Sequence, residues 1–286
     1  MSEIQNIQVS THGAELLSLV VNNREYLWQG DPQFWGRRAP ILFPIVGRLA
    51  DDTLRVDGKE YSMKQQGIAR DAEFVQEGEN YYQMVETTYS NYPYDFDLSM
   101  EYHIECDTLS CLWIVQNKGN KDMHFQIGAH PAFLLPDYDA NDECHALIKF
   151  YDKDGQAVSP LIYNHLVDGL RCSYGIPMAL SNNNGILAIN KHTFANDALL
   201  IEGRQVESVA LHDKFGHPVL TVSCPQADAF GLWAPNKPGF PFICIEPWCG
   251  IADRDNFNGD VSERDYNHSL ASGNSFMFNY SIQIHI

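Results

Sequence analysis

Residues 125–133 read Phe-Gln-Ile-Gly-Ala-His-Pro-Ala-Phe. Phe125, Ile127 and Ala129 alternate with Gln126, Gly128 and His130, the period-two pattern of a strand with one apolar and one polar face. Pro131 cannot donate to a sheet ladder and restricts the residue before it, so His130 falls at a strand end or edge. Gly128, two residues earlier on the same face, leaves room beside the imidazole that a ligand could fill. The chemistry is expected here.

The β reading extends outward in both directions. Long amphipathic helical windows are scarce, and short β-rich runs between turn signals are plentiful, which predicts an all-β domain. Expected strands include Ile7 to Val9, Leu16 to Val21, Tyr81 to Thr88, Phe96 to Cys106 and Leu109 to Asn117. Others are Ala198 to Ile201, Ser208 to His212, Val219 to Ser223, Phe230 to Trp233 and a closing strand from Phe276 to Ile286. Thr53-Leu-Arg-Val and Lys59-Glu-Tyr-Ser-Met, joined by Asp57-Gly58, predict a hairpin, because Asp-Gly suits the two-residue turn that matches strand twist. Residues 40–49, Pro-Ile-Leu-Phe-Pro-Ile-Val-Gly-Arg-Leu, carry two prolines and predict a buried irregular segment or strand end. Residues 150–185 are rich in turn signals, ending in Asn182-Asn-Asn-Gly185, and yield no assignment.

The chain has 286 residues, 44% of them hydrophobic, with no internal repeat, linker or low-complexity tract. One domain over residues 1–286 is the economical reading. A net charge of −18 makes nucleic acid and anionic membrane surfaces poor partners and favours neutral over phosphorylated substrates. The start, Met-Ser-Glu-Ile-Gln-Asn, lacks the pattern of a signal peptide, and no run approaches the about 18 apolar residues of a membrane span. Seven cysteines without a Cys-x-x-Cys pair point to reduced thiols and a cytoplasmic location.

A second candidate lies in Phe242-Ile-Cys-Ile-Glu-Pro-Trp-Cys-Gly250, where Glu246 shares a strand face with Phe242 and Cys244 and precedes a proline. A carboxylate in so apolar a run must be hydrogen-bonded, paired, or kept for function, and desolvation lifts its pKa toward the range of a general base. One reading is a buried ion pair with Arg48 or Arg70; the other is acid–base work with His130 across a cleft. Arg48 needs water, a carboxylate or a polar ligand at the end of its apolar segment. Dinucleotide, P-loop, nucleophile-elbow and zinc-protease motifs are missing from the sequence, so no cofactor or metal is expected. The carboxylates Asp253, Asp255, Asp260, Glu263 and Asp265 do not fit the spacing of a calcium loop. Trp28, Trp35, Trp113, Trp233 and Trp248 read as core rather than ligand platforms.

Together these segments resemble the aldose 1-epimerase (galactose mutarotase) family, in its LacX-like branch. The resemblance rests on Gly13-Ala-Glu-Leu, Tyr26-Leu-Trp-Gln-Gly-Asp-Pro, Pro40 to Leu49, Gly67-Ile-Ala-Arg70-Asp, Gly128-Ala-His130-Pro-Ala-Phe, Asn196-Asp197-Ala-Leu and Cys244-Ile-Glu246-Pro-Trp-Cys-Gly250. It implies a large antiparallel β-sandwich with a concave sugar-binding face and cofactor-free interconversion of α and β aldose anomers. His130 looks like the acid that protonates the ring oxygen, and Glu246 like the base at the C1 hydroxyl. Arg48, Arg70 and Asp197 look like substrate-binding or supporting residues. Gln66 stands where the family usually has histidine; it still hydrogen-bonds a sugar but carries no proton or charge at neutral pH.

Two other functions remain open on the sequence. One is a hexose-6-phosphate mutarotase, with Arg37 or Arg38 near the phosphate. The other, prompted by Gln66, is a non-catalytic carbohydrate-binding or sensor protein on the same sandwich.

Overall fold

The computed structural model describes residues 4–181 and 185–285. Met1 to Glu3, the Asn182–Asn184 part of the expected turn, and Ile286 of the closing strand lie outside the described residues.

Two antiparallel sheets, each of nine strands among the described residues, form the body. One runs in the order Ile186–Ile189, Ala146–Tyr151, Ser208–His212, Pro218–Ser223, Ser275–Ile284, Thr108–Asn117, Phe96–Glu105, Tyr81–Met84 and Phe74–Gln76. The other runs Leu170–Arg171, Ile162–Val167, Leu199–Glu202, Ala229–Trp233, Phe242–Cys249, Ile127–Ala129 and Ile41–Leu42. Ala132–Leu134 also pairs with Phe242–Cys249, and Ile176–Pro177 with Ile162–Val167. Apolar side chains of both sheets share one core, Trp113, Val115, Phe278 and Ile282 from the first and Ile127, Ala129, Phe230, Ile243 and Ile245 from the second. This is the all-β sandwich the sequence predicts.

Alternation along Phe242–Cys249 sorts its side chains between two environments. Ile243, Ile245 and Cys249 enter the main core. On the opposite face Phe242 and Cys244 pack with Trp28 and Ala132, and Trp248 packs with Leu42, Val46, Leu200 and Ala229. Glu246 lies between these two small clusters.

The Asp57-Gly58 hairpin forms as expected, pairing Thr53–Val56 with Lys59–Ser62. Both turn residues have positive φ, 51° and 74°, as the strand-matching turn demands. Residues 40–49 form a two-residue strand, Ile41–Leu42, followed by buried irregular chain through Ile45 and Val46.

Other boundaries differ. The expected strand over 125–133 is three short ones, Met123–Phe125, Ile127–Ala129 and Ala132–Leu134. Gln126 breaks the first junction: its buried side chain accepts from the Val46 N–H at 3.2 Å and donates to the Asp265 carbonyl at 2.8 Å. Pro131 breaks the second. The Tyr81 strand stops at Met84 rather than Thr88, and the unassigned region 150–185 holds Ile162–Val167. No helix among the described residues is long and apolar enough to cross a membrane.

Candidate active site

His130 and Glu246 are direct cross-strand neighbours. Ile127–Ala129 pairs with Phe242–Cys249 through Ile127↔Cys249 and Gly128↔Trp248, and Ala132–Leu134 continues the register with Ala132↔Cys244. The register is unbroken across His130-Pro131, which sets His130 opposite Glu246. Their side chains meet, His130 Nε2 lying 3.2 Å from Glu246 Oε2. The sequence reading had them facing each other across a cleft; the ladder instead puts them in contact. The contact lacks hydrogen-bond alignment, which leaves Oε2 without a hydrogen-bond partner; the other imidazole nitrogen, Nδ1, is also buried and unpartnered.

The pair lies in a cavity of about 240 Å³ lined by Trp35, Gln65, Gln66, Arg70, His130, Leu166, Asp197, Ala198, Trp233, Glu246 and Trp248. A larger cleft of about 520 Å³, lined by Lys64, Gly67, Ile68, Asp71, Glu86 and Tyr89 among others, has no such pair. Of the four sequence candidates besides the pair, three line this cavity. Gln66 accepts from the Gly47 N–H at 2.7 Å through Oε1, which leaves its amino group as the donor for a ligand. Arg70 donates from Nη2 to the Gln65 carbonyl at 2.8 Å, while its buried Nε has no hydrogen-bond partner. Burial and the neighbouring Arg37 charge lower the Arg70 pKa. Asp197 sits exposed in a turn with φ of 67°, at the start of the chain into Leu199–Glu202.

Arg48 is not among the lining residues. Its guanidinium pairs with Asp52, Nε to Oδ1 at 2.8 Å, and donates from Nη1 to the Asp168 carbonyl at 2.9 Å. Nor does Glu246 pair with an arginine, since Arg70 has Asp71 as its nearest carboxylate, at 3.8 Å. The room expected beside Gly128 is also taken. A Cβ built there would lie 2.8 Å from Trp248 Cδ1, so an indole of the protein fills it.

Three of the five tryptophans read as core line the cavity: Trp35, Trp233 and Trp248. Trp35 stacks on His130 with centroids 4.8 Å apart, and Trp233 meets the imidazole edge-on at 5.7 Å. Trp28, buried behind, donates its indole N–H to the Trp35 carbonyl at 2.8 Å. For Trp248 and Trp233 a signal existed in the sequence: each falls at or near the end of an expected strand, and Trp248 shares the face of Glu246. For Trp35 there was none.

Burial dominates the electrostatics. It pushes His130 down to about 3, with the Arg70 and Arg37 charges adding to the shift. It pushes Glu246 well above the usual carboxyl range, Asp197 adding to the effect and the Trp248 indole opposing it. Both shifts favour a neutral imidazole beside a carboxylic acid. That state holds as many protons as an imidazolium beside a carboxylate, and one transfer along the contact interconverts them.

Among the described residues, two groups of side chains have metal-ligating composition. His130, Cys244 and Glu246 bring one ligand atom each within 4.8 Å, as do Asp228, Cys249 and His268. The second set is already engaged, Asp228 with Arg204 at 2.8 Å and the Cys249 thiol with the Gln226 carbonyl at 3.2 Å.

Fold and site together define a galactose mutarotase-like β-sandwich with an imidazole–carboxyl pair in its cavity. Residues 4–283 match the aldose 1-epimerase family, and the chain belongs to it. It is 28% identical over 267 residues to protein LacX of Lactococcus lactis subsp. lactis, in plasmid and chromosomal forms, covering 88% of this chain and 87% of that protein. The galactose mutarotase related enzyme of Lactobacillus acidophilus superposes with a TM-score of 0.86 at 28% identity, over 100% of this chain and 98% of that one. A galactose mutarotase-like protein of Lactobacillus casei ATCC 334 gives 0.83 at 24% identity, over 99% of each.

Proposed function

We propose that the protein is an aldose 1-epimerase that interconverts the α and β anomers of a free hexose without a cofactor. The observation that carries this reading is the contact of His130 with Glu246 in a polar, indole-walled cavity. The two oxygens that exchange protons in mutarotation, the C1 hydroxyl and the ring oxygen, sit on one carbon. An acid and a base held side by side suit them better than a pair spanning the ring.

In this mechanism the contact first carries a proton from Glu246 to His130. The Glu246 carboxylate takes the proton of the C1 hydroxyl, the C1–O5 bond breaks as C1=O1 forms, and the imidazolium protonates O5. Rotation about C1–C2 turns the other face of the aldehyde, and the same pair with roles reversed closes the ring. Each positioned group contributes typically about 10²–10⁴-fold. Gln66, Arg70 and Asp197 line the cavity as sugar-binding groups. The domain acts as one unit, and all seven cysteines are free, in keeping with the reducing cytoplasm.

The hexose-6-phosphate alternative finds less support. Arg37 pairs with Asp71 at 2.6 Å and Arg38 donates to the Leu17 carbonyl at 2.6 Å, and neither lines the cavity. NMR saturation transfer between anomers of glucose, galactose and glucose 6-phosphate tests the assignment. Acceleration of a free hexose supports it; acceleration of the phosphate alone moves the substrate class. Sugar binding without any acceleration leaves a binding protein.

A further inference from the structure

The geometry points to Trp248 as a positioning residue that holds its indole N–H beside the Glu246 carboxyl and donates to it when it is ionised. This rests on the acid–base role of Glu246 proposed above.

The indole is fixed by two missing side chains. A Cβ on Gly128 would lie 2.8 Å from Trp248 Cδ1, and a Cβ on Gly231 would lie 3.1 Å from Cζ2. Those two carbons flank the Nε1–Cε2 edge of the ring. Gly128 is the cross-strand partner of Trp248 itself, whereas Gly231 is the partner of Glu246. The ring therefore leans along its strand from its own row to the row of Glu246, with the N–H edge between the two glycines. Trp248 is 2% exposed, and its Nε1 is a buried donor without a hydrogen-bond partner. Glu246 Oε2 is likewise unpartnered. A neutral carboxyl makes weak use of such a donor; a carboxylate makes strong use of it. The indole lowers the Glu246 pKa, against burial and Asp197, which raise it.

The other titratable groups around Glu246 are His130 on the adjoining segment of the sheet, Asp197 on the turn before Leu199–Glu202 and Cys244 on its own strand. Arg70 and Arg37 act on the pair through His130. His130 meets the carboxyl through Nε2, and none of the other groups has a hydrogen bond to it, so the Trp248 N–H is the added donor that favours the proton's move onto His130.

The test replaces Trp248 with Phe, or at that position with 3-benzothienylalanine, which keeps the bicyclic shape and lacks the N–H. Infrared difference spectra of the carboxyl C=O band, referenced to Glu246→Gln, follow Glu246 ionisation whether or not the protein is active. Loss of one hydrogen bond to a charged group raises the midpoint by about one to two pH units. The kcat for mutarotation falls about tenfold or more with little change in KM. An unchanged midpoint in the benzothienyl protein overturns the proposal even if activity drops. A shifted midpoint in a protein that never catalyses mutarotation upholds the placement of Trp248 and overturns the epimerase reading instead. If Trp248→Phe fails to fold, the benzothienyl protein decides.

Discussion

Trp35 lies nearly flat on the His130 imidazole, ring centroids 4.8 Å apart and planes 26° from parallel. The indole roofs the ring from a loop, while Trp233 closes its edge. Burial is the largest cause of the low His130 pKa. Trp35→Ala is therefore expected to raise that pKa from about 3 toward the ordinary 6.5. NMR titration of the ring protons measures it, and a titration still near 3 would show that the indole does not shield the ring.

Mutarotase activity should be flat from above about pH 3 to beyond the ordinary carboxyl range. His130 stays neutral down to about 3 and Glu246 stays protonated well above 4.5, so the pair keeps a constant proton count between those limits. The rate of anomer exchange against pH is the measurement. Activity that falls away as pH drops below about 6.5 would mean that an unperturbed histidine controls the reaction.

Removing either partner should stop the chemistry and spare binding. Glu246→Gln and His130→Asn keep size and hydrogen bonding and are each expected to lower kcat by about 10²–10⁴-fold. Hexose affinity, followed by tryptophan fluorescence from the cavity indoles, is expected to persist. Full activity in either variant would remove the pair from the mechanism.

Glu246 also sets a stability prediction with a definite sign. The folded carboxyl pKa is raised, so above about 4.5 the unfolded chain releases this proton while the folded chain keeps it. Wild-type stability thus falls as pH rises through that window, by at most about 1.4 kcal/mol per pH unit from this group. Glu246→Gln lacks this loss, so its advantage in urea denaturation should widen from pH 5 to pH 8. A constant difference would contradict a protonated, buried carboxyl.

The tight slot of Trp248 makes Gly128→Ala costly. An added methyl 2.8 Å from Cδ1 forces the indole aside, and such overpacking costs about 1–3 kcal/mol. Thermal denaturation and anomer exchange should both report the change, stability through strain and rate through the displaced ring. A variant matching wild type in both would show that the slot relaxes freely.

The sandwich was legible because its strands advertise themselves locally. Phe125, Ile127 and Ala129 alternate, and all three enter the core. Asp57-Gly58 announces its turn by residue type alone. The Tyr81 strand was read too long because a β-rich composition carries no mark for where a pairing partner ends, and Ile162–Val167 was hidden among turn residues. Among site residues, His130 and Glu246 stood out because each is a polar residue ending an apolar run before a proline. Trp35 carried no such contrast, and its place against His130, ninety-five residues away, depends on how its loop folds, with Trp28 donating to its carbonyl.

The sequence by itself determined an all-β chain, the faces on which His130 and Glu246 lie, and the likeness to the epimerase family, because strand period and proline position act between adjacent residues. Tertiary structure alone decided the rest. The register between segments more than a hundred residues apart brought imidazole and carboxyl into contact. It also filled the gap beside Gly128 with Trp248 and turned Arg48 toward Asp52 and the Asp168 carbonyl. Register is a sum over many ladder hydrogen bonds and buried side chains, and no short stretch of sequence contains it.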